Sequence, residues 1–530
     1  MLADSIAISD FPSFSNIDRA LNKVESTLQE FVQWQPKLDS IPDVINARKF
    51  ETDRSLLQEV LRDQYKINAP SSIPTQLIDR LGAENVFTIC TAHQPCLFTG
   101  PAFVISKAIS TIKLARQINQ QYPQFQIIPF FVIGSEDHDL DELNHCYVNG
   151  KRLTWDTEQQ GPVGRYHLDN ISMVIAELKG LIEFHAFGPE LIRMMEQAYQ
   201  PGHTMSEAFM QILHQLLGSF GLLVLNMDDA RLKKRFLPYI KTEIFSSASK
   251  PKVVETQGLL ASKGFEPATY ARDINFFYFD TGYRARIERE NGSFNIVGQS
   301  LEFDDKTMLA EIENRPEKFS PNVIMRPIYQ EIILPNLAYI GGGGELAYWM
   351  ERKSQFEAME VPYPMLVRRD SFAIVEDSQM DVMKNYGVSM ADLSMRTDLL
   401  INQITESLSA NPLDLHLELK GLLEWMEKIR LKTIEIDKTL GPSIEAEKSK
   451  LQKSIEHIEK KILKAEKSKL EVHLNRVKKV KEKLMPDGTL LERRENFMTF
   501  YAVYGPAFLE TLMADFDPLD FQFKMIKINA

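Results

Sequence analysis

The stretch from Phe87 to Ala115 constrains the fold of this chain of 530 residues more than any other. It begins with a short apolar run typical of a buried strand, passes through a polar turn, and ends in apolar residues spaced three and four apart, as on a helix. Pro101 would suit the first position of that helix, where its missing N–H is tolerated. This order predicts an α/β sheet with His93 and Gln94 at the carboxyl end of its first strand.

The turn after this strand could present backbone N–H groups to an anionic ligand, and Gly100 lies within it. Ordinary turn chemistry explains the same residues, so both interpretations stay open. Neither GxGxxG nor GxxxxGK[ST] occurs here, so the turn is not a known phosphate-loop motif.

The amino-acid composition favours some classes of protein and argues against others. An apolar fraction of 44% and a charged fraction of 25% are ordinary for a soluble globular protein, and this length predicts several structural units. A net charge of −12 argues against a general nucleic-acid binder. The three cysteines, Cys90, Cys96 and Cys146, are too few for a disulfide framework. We therefore expect a cytoplasmic protein with reduced thiols and no membrane segment.

A second apolar run, Gln126–Ile133, has the composition of a strand buried on both faces of a parallel sheet. Pro129 argues against a central position for it, because proline cannot donate to a sheet ladder. Glu136, Asp137 and His138 follow the run closely. A carboxylate beside an imidazole can orient the ring and tune its pKa for acid–base chemistry, so a functional role is predicted for these three residues.

Two other interpretations of this polar segment stay open. Asp137, His138, Asp139 and Glu142 offer oxygen and nitrogen donors suited to a divalent metal ion, although the sequence identifies no metal. Acidic side chains are also favoured at the N-terminus of a helix, which accounts for Asp139, Asp141 and Glu142.

A third segment carries Arg326, followed one turn later by Gln330 and Glu331 in otherwise apolar surroundings. An apolar strand then leads into four consecutive glycines, Gly341 to Gly344, before a helix expected to begin at Glu345. Four glycines permit positive φ and close approach of a ligand to the main chain, and a flexible surface turn is the alternative.

Other regions are predicted to frame this core. Apolar spacing predicts helices from Ile17 to Trp34 and from Arg54 to Gln64. An aromatic run and an alternating segment between about residues 251 and 320 predict antiparallel strands. Arg284 and Arg286 on one of these strands could reach an acidic substrate, although a solvated edge strand is the commoner explanation.

After about residue 391 the pattern is helical almost throughout, with an apolar coiled-coil seam. Gly441 and Pro442 are predicted to break or kink the helix, and the phase of the seam slips near Leu470. An apolar seam needs a partner, which could be a second copy of the chain in a homodimer or another segment of the same chain.

Together these segments resemble the bacillithiol biosynthesis cysteine-adding enzymes, a family of cysteine ligases. The resemblance rests on TAHQPCLFTGPAFVISKAISTIKLA, GSEDHDLDELNH, MRPIYQEIILPNLAYIGGGGELAYW, and a lysine-rich coiled coil followed by LLERRENF. It extends from about Thr91 to Phe497. It implies an α/β fold with a Rossmann-like parallel-sheet core related to class I synthetases, inserted α+β segments and an α-helical coiled-coil domain.

The organisation predicted on this basis has eight segments. They are an N-terminal helical segment over 1–85, core segments over 86–150, 206–250 and 321–390, inserted segments over 151–205 and 251–320, a coiled-coil domain over 391–490, and a C-terminal segment over 491–530.

The resemblance implies a ligase that adds L-cysteine to the amino group of glucosaminyl malate, in the last step of bacillithiol biosynthesis. ATP is implied by the chemistry, because a free carboxylate must be activated before it forms an amide. The HIGH and KMSKS signatures that hold ATP in class I synthetases are absent, however. Another nucleotide-dependent ligase or nucleotidyltransferase, and a non-catalytic coiled-coil scaffold, remain alternatives.

The shared polar residues of the family define the candidate site. In our hypothesis Asp137 and His138 position or deprotonate the sugar amine, and Arg326 meets the malyl carboxylates. We expect catalytic roles for His93, Asp137 and His138, substrate binding by Gln94, Glu136, Arg326, Gln330, Glu331 and Tyr348, nucleotide binding by Gly100, Gly341, Gly342, Gly343 and Glu345, and assign no metal ligand.

Overall fold

A computed structural model describes residues 1–23, 27–69 and 72–528 of the chain. The chain divides into two compact units, the first made of Met1–Ile374 with Leu491–Ala530 and the second of Val375–Leu490. Among the described residues, no helix combines the length and the apolar character needed to cross a bilayer.

The N-terminal region differs from its prediction at two places. Strand β1 (Leu2–Ala7) was not predicted, because its pairing partner lies near the other end of the chain. The helix predicted from Ile17 to Trp34 is wrong: the first helix ends at Leu21, and Trp34 lies in a non-helical segment, where its indole donates to the Tyr363 carbonyl. Residues 24–26 of that prediction lie outside the described residues. The helices here are α1 (Asn16–Leu21), α2 (Ile41–Ala47), α3 (Arg54–Asn68), which confirms the second predicted helix, and α4 (Thr75–Arg80).

The strand–turn–helix stretch is confirmed. A tight turn with positive φ at Phe98, Thr99 and Gly100 joins its strand to its helix. The helix begins at Phe103 rather than at Pro101, because Pro101 pairs with Asn496 in an isolated bridge. The elements of this part are β2 (Val86–His93), α5 (Phe103–Gln121), β3 (Gln126–Ile133), α6 (Leu140–Leu143), β4 (His145–Val148) and β5 (Lys151–Thr154), the last two forming a hairpin.

The next part is mostly helical. Thr204 and Glu207 form a capping box at the start of one of its helices. Its elements are α7 (Ile171–Ile182), α8 (Gly188–Ala198), α9 (Met205–Leu217), β6 (Leu223–Asn226), α10 (Ala230–Ser246) and α11 (Ser249–Ser262).

The predicted antiparallel strands form a five-stranded sheet of their own. Tyr278, Ile287 and Phe294 are buried on it. In spatial order its strands are β10, β9, β8, β7 and β11. Its elements are β7 (Phe276–Asp280), β8 (Tyr283–Glu290), β9 (Ser293–Ile296), β10 (Glu302–Phe303), α12 (Asp305–Asn314) and β11 (Phe319–Pro321).

The central sheet is parallel and explains where a site can form. Its spatial order is β13, β12, β2, β3 and β6, so the direction in which strands are added reverses between β2 and β12. A crevice at the carboxyl ends of two such strands is the usual ligand site of a Rossmann-like sheet. The elements that complete this part are α13 (Arg326–Ile333), β12 (Asn336–Gly341), α14 (Gly343–Met350), α15 (Lys353–Ala358), β13 (Met365–Arg368) and β14 (Ser371–Ile374).

Pro129 does not keep its strand at the edge of this sheet, contrary to the prediction. Strand β3 lies between β2 and β6. Its pairing with β6 begins only at Phe130, so Pro129 lies just outside that ladder. An interior strand therefore tolerates the proline.

The second unit is helical. The predicted break is confirmed, because a short 3-10 turn separates two long helices and Gly441 begins the second of them. The slip in the seam corresponds to another helix boundary at Leu470. The two long helices contact each other within one chain, burying Met426 but leaving Ile436 exposed. The helices are α16 (Asp377–Asn385), α17 (Met390–Leu393), α18 (Thr397–Leu408), α19 (His416–Ile436), α20 (Gly441–Lys469) and α21 (Glu471–Leu484).

The C-terminal segment completes the first unit. Its last strand lies between β1, which is antiparallel to it, and β14, which is parallel to it. This strand therefore connects the two ends of the first unit. The elements are α22 (Leu491–Arg494), α23 (Met498–Tyr504), α24 (Pro506–Asp515) and β15 (Gln522–Ile526).

Candidate active site

A pocket of about 560 Å³ lies at the carboxyl ends of the central strands, facing the inserted antiparallel sheet. It brings together residues that are far apart in sequence, as the parallel topology requires. Of the predicted site residues, His93, Gln94, Glu136, Asp137, His138, Arg326, Glu345 and Tyr348 line it, whereas Gln330, Glu331, Gly100, Gly341, Gly342 and Gly343 do not.

The register of β2 and β3 accounts for the first group of lining residues. His93 and Ile133, the last residues of these strands, are paired side by side. The Gly134 N–H donates to the His93 carbonyl at 2.9 Å, which holds the two chain segments together beyond the sheet. The polar residues after each strand therefore emerge at the same edge.

Asp137 is held by three donors. Its carboxylate accepts the Gln94 side-chain amide at 3.1 Å and the backbone N–H groups of His138 at 2.7 Å and Asp139 at 3.4 Å. Burial opposes ionisation, but the nearby Arg284 and these hydrogen bonds lower the pKa of Asp137 overall. Asp137 is therefore a carboxylate at neutral pH, able to accept a proton from a bound amine.

His93 is neutral in this environment. Burial, followed by the positive charge of Lys107, lowers the pKa of its imidazole to about 3. Its ring packs edge-on against Phe103 at a centroid distance of 5.2 Å. A neutral imidazole among cations can hydrogen-bond an anionic ligand without contributing charge itself.

Lys107 is a pocket residue that the sequence analysis missed. Its ammonium lies 2.6 Å from a carboxylate oxygen of Glu345 and donates to the Ala92 carbonyl at 2.8 Å. Glu345 also accepts the Tyr339 hydroxyl and the Gly342 N–H. Burial alone would raise the pKa of Glu345, but the charge of Lys107 and its hydrogen bond lower it overall. The pair is therefore ionic. The available signal was a single charged residue among the buried positions of α5.

Arg326 lines the pocket, and two neighbouring side chains orient its guanidinium. It donates to the Gln330 amide oxygen at 3.2 Å and to the Tyr348 hydroxyl at 3.0 Å. Burial opposes its charge, but Tyr348, Tyr339 and Glu345 raise the pKa of Arg326 overall. Gln330 therefore supports Arg326 from outside the pocket.

Glu331 is fully buried away from the pocket. It accepts the side-chain amides of Gln330 at 3.0 Å and Asn336 at 2.8 Å, and Arg48 lies 3.8 Å from it. Burial raises the pKa of Glu331 to about 7. These contacts join α13 to β12 and to the N-terminal region, which is a structural role.

Glu136 is also held by a partner that the sequence analysis missed. The buried Lys233 of α10 lies 2.6 Å from its carboxylate and donates to the Phe319 carbonyl at 2.8 Å. Burial raises the pKa of Glu136, while Lys233 opposes that shift. This pair joins the tip of β3 to the inserted sheet.

The inserted sheet and the segments on either side of it supply the opposite wall, which includes Tyr270, Arg272, Phe277, Arg284 and Asn322. Arg284, one of the two arginines noted in the sequence, donates to the Nδ1 atom of His138 at 2.9 Å. Arg286, the other, pairs with Glu288 and does not line the pocket. The sequence pattern could not distinguish them.

The glycine-rich segment does not form the predicted backbone loop. Gly341 ends β12 and Gly343 begins α14, and none of the four glycines has positive φ. A Cβ on Gly343 would lie 2.1 Å from the Asp18 carboxyl carbon, so a neighbouring side chain requires glycine here. Similarly, a Cβ on Gly100 would lie 2.9 Å from the Cys96 Cβ.

The metal interpretation of the acidic segment finds no support in its geometry. Across the described ranges, no three His, Cys, Asp or Glu side chains converge closely enough to hold a metal ion.

Two family profiles match the chain almost end to end. The profile described as "Bacillithiol biosynthesis BshC, N-terminal Rossmann-like domain" matches residues 3–370, and that described as "Bacillithiol biosynthesis BshC, C-terminal coiled-coil domain" matches residues 372–528. The chain belongs to the bacillithiol biosynthesis BshC family. The resemblance inferred from the sequence motifs is confirmed, as is a Rossmann-like α/β core with a helical coiled-coil domain.

Curated BshC relatives align over nearly their whole length. Each of three carries the name "Putative cysteine ligase BshC". They are from Flavobacterium johnsoniae, 34% identical over 100% of both chains, Christiangramia forsetii, 33% identical over 94% of both, and Cytophaga hutchinsonii, 32% identical over 98% of both.

Proposed function

We propose that this BshC-family chain is a ligase that joins the carboxylate of L-cysteine to the amino group of glucosaminyl malate. The names of the relatives and the bacillithiol description of both profiles support this reaction class. A cytoplasmic location and a homodimer through the coiled coil stay predictions.

The charge pattern of the pocket carries the proposal. Four cationic side chains and three carboxylates line it. The reactants named above bring a dicarboxylate, a carboxylate to be activated, and amines, so they need both kinds of contact. The cations are Lys107, Arg272, Arg284 and Arg326, and the carboxylates are Glu136, Asp137 and Glu345.

ATP, when bound, would supply the phosphoryl or adenylyl group that activates the cysteine carboxylate, and that group would leave as phosphate or AMP when the amide bond forms. The donor set at the strand tips fits a phosphate group in its chemistry, since Lys107 and the neutral His93 lie together at the reversal point of the sheet. Glu345 contributes by holding Lys107 in place. The four glycines have no part in this proposal.

Asp137 is proposed to receive the proton of the attacking sugar amine. It is the lining carboxylate that interacts with hydrogen-bond donors rather than a buried lysine, whereas Glu136 and Glu345 are paired with Lys233 and Lys107. Arg326 is proposed to bind malyl carboxylate oxygens through its remaining N–H groups.

A reconstituted reaction tests the proposal. Purified enzyme is incubated with glucosaminyl malate, L-cysteine and ATP, and both the thiol product and the release of AMP or ADP are followed. We expect product with the natural enzyme and a loss of about 10²- to 10⁴-fold in kcat/KM for Asp137→Asn. Asp139→Asn, two residues along, is the matched control and should retain activity. No thiol product from the natural enzyme would overturn the proposal.

A further inference from the structure

Arg284 is the most tightly fixed cation in the wall that the inserted sheet contributes to the pocket. Its Nε donates to the Ser320 hydroxyl at 2.9 Å and its Nη2 donates to the Pro321 carbonyl at 3.2 Å. Its guanidinium also lies 3.9 Å from the centre of the Phe277 ring. The third hydrogen bond of Arg284, from Nη1 to the His138 Nδ1 atom, is therefore made by a group with little freedom to move.

This contact determines which nitrogen of His138 carries a proton. A guanidinium nitrogen can only donate a hydrogen bond, so Nδ1 of His138 must accept it. A neutral imidazole that accepts at Nδ1 carries its hydrogen at Nε2. The ring is thereby held as one tautomer.

The charges around His138 favour this neutral form. Burial and then Arg284 lower the pKa of the imidazole, while Asp137 and Asp139 oppose that shift. Arg284 comes from β8, the two carboxylates belong to the His138 segment itself, and β7 contributes the uncharged Phe277. The repulsion from Arg284 therefore acts together with the hydrogen bond.

The other nitrogen of the ring remains available to a ligand. The His138 side chain is 44% exposed and lines the pocket, and within the described ranges no hydrogen bond is made to Nε2. An N–H at that position suits an anionic or carbonyl oxygen.

We propose that Arg284 is a positioning residue that holds His138 as the neutral Nε2–H tautomer, so that His138 donates to a substrate oxygen and does not serve as the base. His138 transfers no proton when it donates this hydrogen bond, since its hydrogen stays on Nε2. This inference rests on the proposed function for its substrates, and it leaves proton acceptance to Asp137.

The ring nitrogens can be examined directly by ¹⁵N NMR on protein labelled at histidine, with the His138 signals identified by their loss in His138→Gln. The expected result for the natural enzyme is a single neutral tautomer with its hydrogen on Nε2 near neutral pH. In Arg284→Met the expected result is a mixture of tautomers and a raised pKa of His138. Arg286→Met, on the same strand, should change neither.

Kinetics supply a second readout once the product assay works. Arg284→Met should lower kcat/KM about 10- to 100-fold, while Arg286→Met stays within about twofold. Arg284→Lys, which keeps the charge but not the three-way donor geometry, serves if the methionine variant fails to fold. A hydrogen on Nδ1 in the natural enzyme, or identical spectra in the folded Arg284 variant, would overturn the inference. Absence of thiol product would instead refute the proposed function and leave the NMR result valid.

Discussion

Burial and nearby charges together determine the protonation of single residues in the pocket, and His93 is the clearest case. Its imidazole is neutral because burial and nearby cations lower its pKa to about 3, whereas the ordinary value is 6.5. Between these two values the unfolded chain binds a proton at this position that the folded chain excludes. The free energy of unfolding should therefore fall as the pH falls through this window.

The substitution His93→Asn isolates this contribution. The difference in unfolding free energy between the natural enzyme and the variant should be constant above about pH 7. Below that pH it should change by up to about 1.4 kcal/mol per pH unit, in the direction that favours the variant. Urea unfolding at several pH values from 5 to 8 measures it. A difference that does not vary with pH would show that His93 titrates normally.

At the scale of elements, the start of α14 depends on one close approach. Gly343 lies against the Asp18 carboxylate, which in turn accepts from Arg368 at 2.9 Å. At Gly344, the next residue, a Cβ would have no heavy atom within 4 Å outside its own helix backbone and chain neighbours. The two glycines therefore differ in environment although they are neighbours on one helix.

We predict opposite effects of alanine at these two positions. Gly343→Ala forces Asp18 to move and should lower the free energy of unfolding by about 1–3 kcal/mol. Gly344→Ala should raise it by up to about 1 kcal/mol, because alanine has less backbone entropy to lose in a helix. Denaturant titration of both variants decides this, and equal effects would contradict the contact with Asp18.

Comparing predicted and observed elements shows which parts of the fold the sequence alone could predict. The strands β2, β3 and β12 were predictable because their apolar runs ended in polar residues or, for β12, in glycines. Their parallel order explains why eight of the predicted residues meet. The pairing of Lys107 and Lys233 could not be predicted, since their partners, Glu345 and Glu136, lie 238 and 97 positions away. The helix predicted up to Trp34 failed because contacts with distant segments override local apolar spacing.

At the scale of the whole molecule, buried ion pairs connect segments of the first unit that are far apart in sequence. Arg369, after β13, donates to both carboxylate oxygens of Glu492 at 2.9 and 3.0 Å, and both residues are buried. Lys524 of β15 similarly lies 2.6 Å from the buried Asp370. These pairs attach the C-terminal segment to the edge of the parallel sheet.

Breaking one such pair should be far more costly than breaking a surface pair. Glu492→Gln leaves the Arg369 charge without its buried counterion and should lower the free energy of unfolding by about 3–5 kcal/mol. Asp79→Asn removes the exposed partner of Arg62 and should cost at most about 1 kcal/mol. Chemical denaturation compares them, and a similar cost for both would show that the buried pair does not act as a structural connection.

The pairing of Leu2 with Ile526 has a consequence for how a cell makes this protein. At translation rates of about 5–20 residues per second, β1 emerges from the ribosome about half a minute to two minutes before its partner strand exists. Throughout that interval its backbone donors and acceptors are available to any other extended chain. Newly made molecules, rather than mature ones, should therefore be the form that most needs chaperone protection.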